Sequence, residues 1–120
     1  MHFGYHLLLD CSNCNRDQIA SAENIKAFVI ELVKRIDMVA VGDPTIQYLC
    51  EGDEKEGFSL MQLISTSSIV GHFMDRSGDA YIDVFSCKTF DIKMAEDVVR
   101  EFFTPTKVRV NFLTRNADPA

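Results

Sequence analysis

The segment AYIDVFSCKTFDIKMAEDVVREFFTPTKVRV, residues 80–110, contains the change of pattern that decides the fold class. Residues 81–86 alternate between two sets of side chains, and this period of two predicts a strand with two different faces. Asp91 can then cap a helix that runs to Phe103. Its apolar residues on one face are Met94, Val98 and Phe102. Thr104-Pro105 ends the helix, and a final strand is predicted over residues 107–113.

The start of the chain has the same order of strand and helix. A strand is predicted over Phe3–Asp10, which has an apolar centre, and a helix over Ser21–Ile36. The helix prediction rests on apolar residues that recur at the spacing of one helical face: Ile25, Phe28, Val29, Leu32 and Ile36.

Between the two helices the pattern predicts strands joined by loops. Asp43-Pro44 predicts a turn, because the residue before a proline is restricted to extended conformations. The predicted strands are Thr45–Cys50, Phe58–Ser65 and Ile69–Met74. The predicted loops are the charged segment Glu51–Gly57 and the segment Asp75–Asp79.

This order of elements predicts an α+β fold, a two-layer sandwich in which two helices cover one face of an antiparallel or mixed sheet. The length of 120 residues predicts one domain over residues 1–120. The other face of the sheet must be solvated, paired with a second subunit or used as a site. We therefore expect a homodimer.

Composition excludes several classes of partner. Apolar residues make up 47% of the chain, which is typical of a globular protein, and the net charge is -6. A field of that sign repels phosphate backbones and anionic membranes, so nucleic acid and membrane partners are not expected. No apolar run is long enough to span a membrane, and the N-terminus lacks the features of a signal peptide. We expect a cytoplasmic protein.

The pair Cys11 and Cys14 has the C-x-x-C spacing of redox pairs and of half a zinc site. No second such pair follows, Cys50 and Cys87 stand alone, and the histidines lack ligand spacing. We interpret Cys11 and Cys14 as loop thiols after a strand, and we predict no metal site.

The stretch LISTSSIVGH, residues 63–72, places hydroxyl side chains before a histidine. Alone, it is typical of a turn and a structural histidine. In the context of further motifs it resembles the short-chain pyruvoyl-dependent S-adenosylmethionine decarboxylases of bacteria and archaea. The matching positions, in chain order, are Gly4-Tyr5-His6-Leu7 with Asp10, where Tyr5 departs from the basic residue of the family, then Tyr48, Gly57-Phe58-Ser59, Ser67, His72, Gly78 and Asp83-Val84-Phe85-Ser86-Cys87.

The resemblance implies that the chain is a proenzyme that cleaves itself between Thr66 and Ser67. Ser67 would attack the Thr66 carbonyl, His72 would remove the Ser67 α-proton, and Ser59 would help to hold the site. Ser67 would thereby become a pyruvoyl cofactor that forms a Schiff base with the substrate amine and accepts electrons during decarboxylation.

The resemblance also implies roles in turnover. Cys87 would reprotonate the substrate carbon after carbon dioxide leaves. Asp10 would bind the ribose hydroxyls of a small-molecule substrate, and Tyr48 would stack on its adenine. The product would be the aminopropyl donor for polyamine (spermidine) synthesis.

Some positions depart from the family pattern. Thr66 stands where the family has glutamate, Ser68 where it has histidine, and Phe73-Met74-Asp75-Arg76 where it has Thr-Trp-Pro-Glu. Two alternatives stay open: a pyruvoyl-dependent decarboxylase of ornithine or arginine, with Asp75 and Asp79 binding a distal cation, or an unprocessed, non-catalytic homologue.

Overall fold

Six strands and three helices form within residues 3–119, the part of the chain that the computed structural model describes. In chain order they are β1 (Gly4–Ser12), α1 (Arg16–Ile19), α2 (Ala22–Arg35), β2 (Ala40–Leu49), β3 (Gly57–Ile64), β4 (Ser67–Phe73), β5 (Ala80–Ser86), α3 (Ile92–Phe103) and β6 (Lys107–Arg115). No helix in these residues is long and apolar enough to cross a bilayer.

The strands form one sheet in the order β2-β3-β4-β5-β1-β6, and each neighbouring pair is antiparallel. The α+β prediction is therefore confirmed. Of the two sheet types that the prediction left open, antiparallel and mixed, the structure has the antiparallel one. The single-turn helix α1 was not predicted, because four residues are too few to show a helical period.

The long helices begin at side-chain caps and bury one face each. Ser21 caps α2 by accepting from the Asn24 N–H, and Asp91 caps α3 by accepting from the Met94 N–H. Phe28 of α2 packs against Phe103 of α3 with ring centroids 4.7 Å apart, and Phe103 packs in turn on Phe73 of β4 at 4.9 Å. These contacts join the helices to one face of the sheet.

Several predicted boundaries differ from the structure. Strand β1 continues to Ser12, so the prediction that Cys11 is a loop thiol was wrong; Cys11 lies inside the strand and only Cys14 follows it. Residues Asp43 and Pro44 lie inside β2, where the pairing with β3 is irregular between Val41 and Thr45, so the predicted turn is a bulge that does not end the strand. Strand β4 begins at Ser67 and not at Ile69. Only Ser65 and Thr66 therefore remain in the turn between β3 and β4.

The sheet face opposite the helices, which we call the open face, carries the alternate side chains of every strand. It includes several apolar side chains that are about half exposed: Val41, Met61, Leu63 and Leu113. An antiparallel sheet with one buried face normally has a polar second face, so this apolar surface is suited to contact with another molecule.

Candidate active site

The predicted cleavage site lies at the hairpin between β3 and β4. Ile64 pairs with Ser67 across the hairpin, so the Thr66–Ser67 peptide bond joins the turn to the first residue of β4. Ser67 also pairs with Ser86 of β5 on its other side. The predicted cleavage site is thus held between two strands.

Cys87 contacts the predicted cleavage site directly. Its main-chain N–H donates to the Thr66 carbonyl oxygen at 3.0 Å. An N–H aimed at a carbonyl oxygen polarises the carbonyl and stabilises the negative charge that develops there under nucleophilic attack. The Cys87 residue itself is exposed and follows directly after β5. The structure therefore brings Thr66, Ser67 and Cys87 together.

Ser59 and His72 form a second group. They are directly opposite each other on β3 and β4, and Ser59 Oγ lies 3.0 Å from His72 Nδ1. Both side chains lie on the open face, and His72 is exposed. The hydrogen bond fixes the orientation of the imidazole through Nδ1, and the other ring nitrogen, Nε2, takes no part in it.

The two groups do not meet within one chain. Ser67 and His72 are separated by five residues of one strand, about 16 Å at roughly 3.3 Å per residue. An extended strand cannot bring the His72 ring to the Ser67 α-carbon. Ser67 and His72 can therefore act in one site, as predicted, only if one of the two groups comes from a second copy of the chain.

A row of polar side chains crosses the open face at the level of His72. Consecutive cross-strand pairs connect its members, which are Gln47, Ser59, His72, Tyr81, Asp10 and Arg109. Tyr81, on β5, lies between His72 and Asp10 and is 44% exposed. Asp10 and His72 were predicted from the sequence and Tyr81 was not, because its only signal was its place in the alternation of β5.

Two adjoining cavities lie along this row. One, of about 870 Å³, includes His72, Arg76, Asp79 and Tyr81 in its lining. The other, of about 440 Å³, is lined by residues that include Asp10, Asp79 and Tyr81. Asp79 and Tyr81 line both, so the cavities form one groove from His72 past Asp10, with room for a small-molecule substrate.

Tyr48 lies away from the groove. It pairs with Phe58, so it is on the helix side of the sheet, whereas Ser59 is on the open face. Its hydroxyl donates to Asp75 Oδ2 at 2.6 Å, and this hydrogen bond is the main cause of a raised pKa for the phenol. The structure does not bring Tyr48 to the other predicted site residues.

The cysteines of the C-x-x-C pair are both buried and free. Burial raises the pKa of Cys11 from 9.0 to about 12 and that of Cys14 from 9.0 to about 11, so both are neutral thiols at physiological pH. Thiols of this kind are poor nucleophiles and poor metal ligands. Within residues 3–119 no three His, Cys, Asp or Glu side chains form a group that would hold a metal ion.

Comparison with known proteins identifies the family. The sequence profile of the S-adenosylmethionine decarboxylase family matches residues 5–116. The chain belongs to the S-adenosylmethionine decarboxylase family. That match spans all six strands, from β1 through β6, and both groups of predicted site residues. The resemblance inferred from the sequence motifs is confirmed.

Individual relatives agree with this assignment. The chain is 29% identical over 113 residues to an S-adenosylmethionine decarboxylase proenzyme of Clostridium botulinum strain Langeland, an alignment that covers 93% of each chain. It is 25% identical over 101 residues to the proenzyme of Thermodesulfovibrio yellowstonii, covering 83% of this chain and 71% of that one.

The fold also matches that of a solved family structure. The crystal structure of the adenosylmethionine decarboxylase from Aquifex aeolicus VF5 superposes with a TM-score of 0.81 at 21% identity. The alignment covers 98% of this chain and 93% of that chain. This similarity supports the two-layer α+β fold of the S-adenosylmethionine decarboxylase family for the present chain.

Proposed function

We propose that this chain is a proenzyme that cleaves itself at Thr66–Ser67 and then decarboxylates S-adenosylmethionine. The observation that carries the proposal is the hydrogen bond from the Cys87 N–H to the Thr66 carbonyl oxygen. It activates the one peptide carbonyl that the Ser67 hydroxyl reaches through a small ring. The family membership and the proenzyme names of its relatives point to the same chemistry.

The cleavage begins with attack of Ser67 Oγ on the Thr66 carbonyl carbon. The Cys87 N–H stabilises the negative charge on the Thr66 oxygen, and the C–N bond then breaks to give an ester and a free Ser67 amine. A base removes the Ser67 α-proton, the bond between Ser67 Cβ and Oγ breaks, and Thr66 leaves as a carboxylate. Hydrolysis of the resulting dehydroalanine releases ammonia and leaves a pyruvoyl group.

His72 is the base in this proposal, and it acts from a second copy of the chain. The Thr66–Ser67–Cys87 group and the Ser59–His72 group are at opposite ends of β4. A two-fold axis through the middle of β4 places the start of one β4 beside the end of the other. The half-exposed apolar side chains of the open face would be buried between the copies. We therefore propose a homodimer whose two sites are each shared.

The residues at the start of β4 fit a pyruvoyl group. Its position is next to the Cys87 N–H, which remains a donor after cleavage, and next to the exposed Cys87 residue. Once formed, the group supplies a carbonyl that accepts the electron pair left when carbon dioxide leaves the substrate. The Cys87 thiol donates the proton that the substrate carbon then requires.

The groove on the open face binds the rest of the substrate. Asp10 accepts hydrogen bonds from the ribose hydroxyls, and Tyr81 supplies an aromatic face between Asp10 and His72. The product is the aminopropyl donor for polyamine synthesis, and we propose that the reaction takes place in the cytoplasm.

A specific observation favours a second candidate, decarboxylation of ornithine or arginine. Asp79 lines both cavities of the groove, so its carboxylate is placed to bind a distal ammonium or guanidinium group. Asp75 does not support this candidate, because it accepts from Tyr48 on the helix side.

Two assays test the function. Carbon dioxide release from labelled S-adenosylmethionine, ornithine and arginine distinguishes the substrates, and we expect release from S-adenosylmethionine. Coexpression of Ser67→Ala with His72→Ala tests the shared site, since each mixed dimer keeps one intact pair of groups. We expect each variant to be inactive alone and the mixture to regain activity. Inactivity of the mixture, with mixed dimers shown by mass spectrometry, would rule out sharing.

A further inference from the structure

Ser86 is a buried polar residue whose hydroxyl contacts the scissile residue. It is fully buried at the end of β5, and its Oγ donates to Thr66 Oγ1 at 2.8 Å. The same Oγ accepts from the Lys88 N–H at 3.0 Å, and Thr66 Oγ1 donates onward to Met38 Sδ at 3.4 Å. Each hydroxyl of this chain of hydrogen bonds therefore has a donor and an acceptor partner.

The turn that carries Thr66 depends on contacts from outside the hairpin. Two-residue hairpin turns usually have positive φ at one or both central residues, and neither Ser65 nor Thr66 has a positive φ. The turn is held instead by the Val39 carbonyl, which accepts from the Ser65 N–H at 2.9 Å, and by the contacts of Thr66 with Ser86 and Cys87.

The hydrogen bonds from Ser86 and Cys87 hold Thr66 at its side chain and at its carbonyl oxygen. Ser86 and Cys87 are consecutive residues, so the last residue of β5 holds the Thr66 hydroxyl at 2.8 Å and the next residue holds the Thr66 carbonyl oxygen at 3.0 Å. Two adjacent anchors restrict rotation of the Thr66 carbonyl, which keeps it pointing at the Cys87 N–H as Ser67 attacks.

We propose that Ser86 is a positioning residue for self-cleavage: its buried hydroxyl orients Thr66 so that the scissile carbonyl stays on the Cys87 N–H. This inference rests on the self-cleavage proposed above. It concerns the hydrogen bond between the Thr66 and Ser86 side chains, which lies outside the predicted roles of Ser67, His72 and Cys87.

The test measures the first-order rate of cleavage of freshly made precursor by intact mass, alongside thermal unfolding of each precursor. We expect Ser86→Ala to slow cleavage about tenfold, the effect of one lost hydrogen bond in the reacting geometry. Ser86→Thr, which keeps the hydroxyl, should restore a rate near that of wild type. Thr66→Val should slow cleavage as much as Ser86→Ala, and the double variant no more than either alone.

Each outcome decides the inference separately from the proposed function. Absence of cleavage in wild type contradicts the proposed function itself. Cleavage of Ser86→Ala and Thr66→Val at the wild-type rate, in a wild type that matures, contradicts only the role of Ser86. A lowered unfolding temperature with an unchanged rate assigns Ser86 a structural role and also contradicts the proposal. If Ser86→Ala does not fold, Thr66→Val at the partly exposed turn decides the question alone.

Discussion

The main-chain N–H of Cys87 donates to the carbonyl oxygen of Thr66 at 3.0 Å, so in the proposed function this residue serves two steps through different atoms. We propose that the N–H acts in cleavage and that the thiol of this exposed residue acts in turnover. Cys87→Ser keeps the N–H and replaces the thiol with a much weaker acid. We expect Cys87→Ser to cleave at a rate near that of wild type and to lose about 10²-fold to 10⁴-fold in kcat. Failure of Cys87→Ser to cleave, with an intact fold, would show that the thiol itself takes part in maturation.

Tyr81 and Tyr48 provide a matched pair of substitutions on opposite faces of the sheet. Tyr81→Ala removes an aromatic face from the groove, and stacking on an aromatic side chain contributes roughly 1–3 kcal/mol per base. We expect its KM for S-adenosylmethionine to rise about tenfold or more, and Tyr81→Phe to stay near wild type. Tyr48→Ala, the matched loss of a ring on the helix side of the sheet, should leave KM unchanged. A KM effect confined to Tyr48 would place the substrate elsewhere.

Gly4 allows β1 to approach the end of β5 closely. A Cβ at this position would lie 2.7 Å from the Ser86 carbonyl oxygen and 3.2 Å from Cys87 Cα. We expect Gly4→Ala to displace the Cys87 N–H and slow cleavage, measured by intact mass over time. Gly52→Ala is the control, because Gly52 has φ +87 but no atom within 4 Å of its added Cβ. It is expected to lose stability and keep its cleavage rate; equal rates in both variants would contradict the argument.

The buried thiols predict how stability changes in alkali. Unfolded Cys11 and Cys14 lose protons near pH 9.0, whereas the folded state holds them until about pH 12 and 11. The unfolded state thus binds fewer protons above pH 9, and the free energy of unfolding falls as pH rises. Each thiol contributes at most about 1.4 kcal/mol per pH unit to this slope.

Urea unfolding between pH 8 and 11 measures this slope. The raised pKa of Tyr48 acts in the same direction, so the control is a Cys11→Ala/Cys14→Ala variant that keeps Tyr48. Its slope is expected to be shallower than that of wild type. Parallel slopes would mean that the two thiols titrate alike in the folded and unfolded states.

Periodicity predicted the elements that have one clearly buried face. Helix α2 and strand β5 were found because burial imposes a period of 3.6 or 2 on their apolar residues. The side of the sheet on which Tyr48 lies could not be predicted. The irregular pairing between Val41 and Thr45 sets which side the following residues of β2 occupy. Ser86 was missed because a hydroxyl in an alternating strand gives no sign of the partner it meets across the sheet.

The two-part site could not be predicted from motif spacing. Ser67 and His72 are close in sequence, which suggests proximity, but an extended strand separates them along its length. Only the strand assignment shows that Ser59 is the partner of His72 and that Cys87 is the partner of Thr66.

The intact mass of wild-type protein after maturation tests the central claim most directly, with Ser67→Ala prepared in parallel. We predict that wild type separates under denaturing conditions into residues 1–66 and 67–120, that the second fragment is trapped by an amine and borohydride, and that Ser67→Ala remains one chain. A wild-type protein that stays whole and reacts with no amine, like Ser67→Ala, would contradict the account.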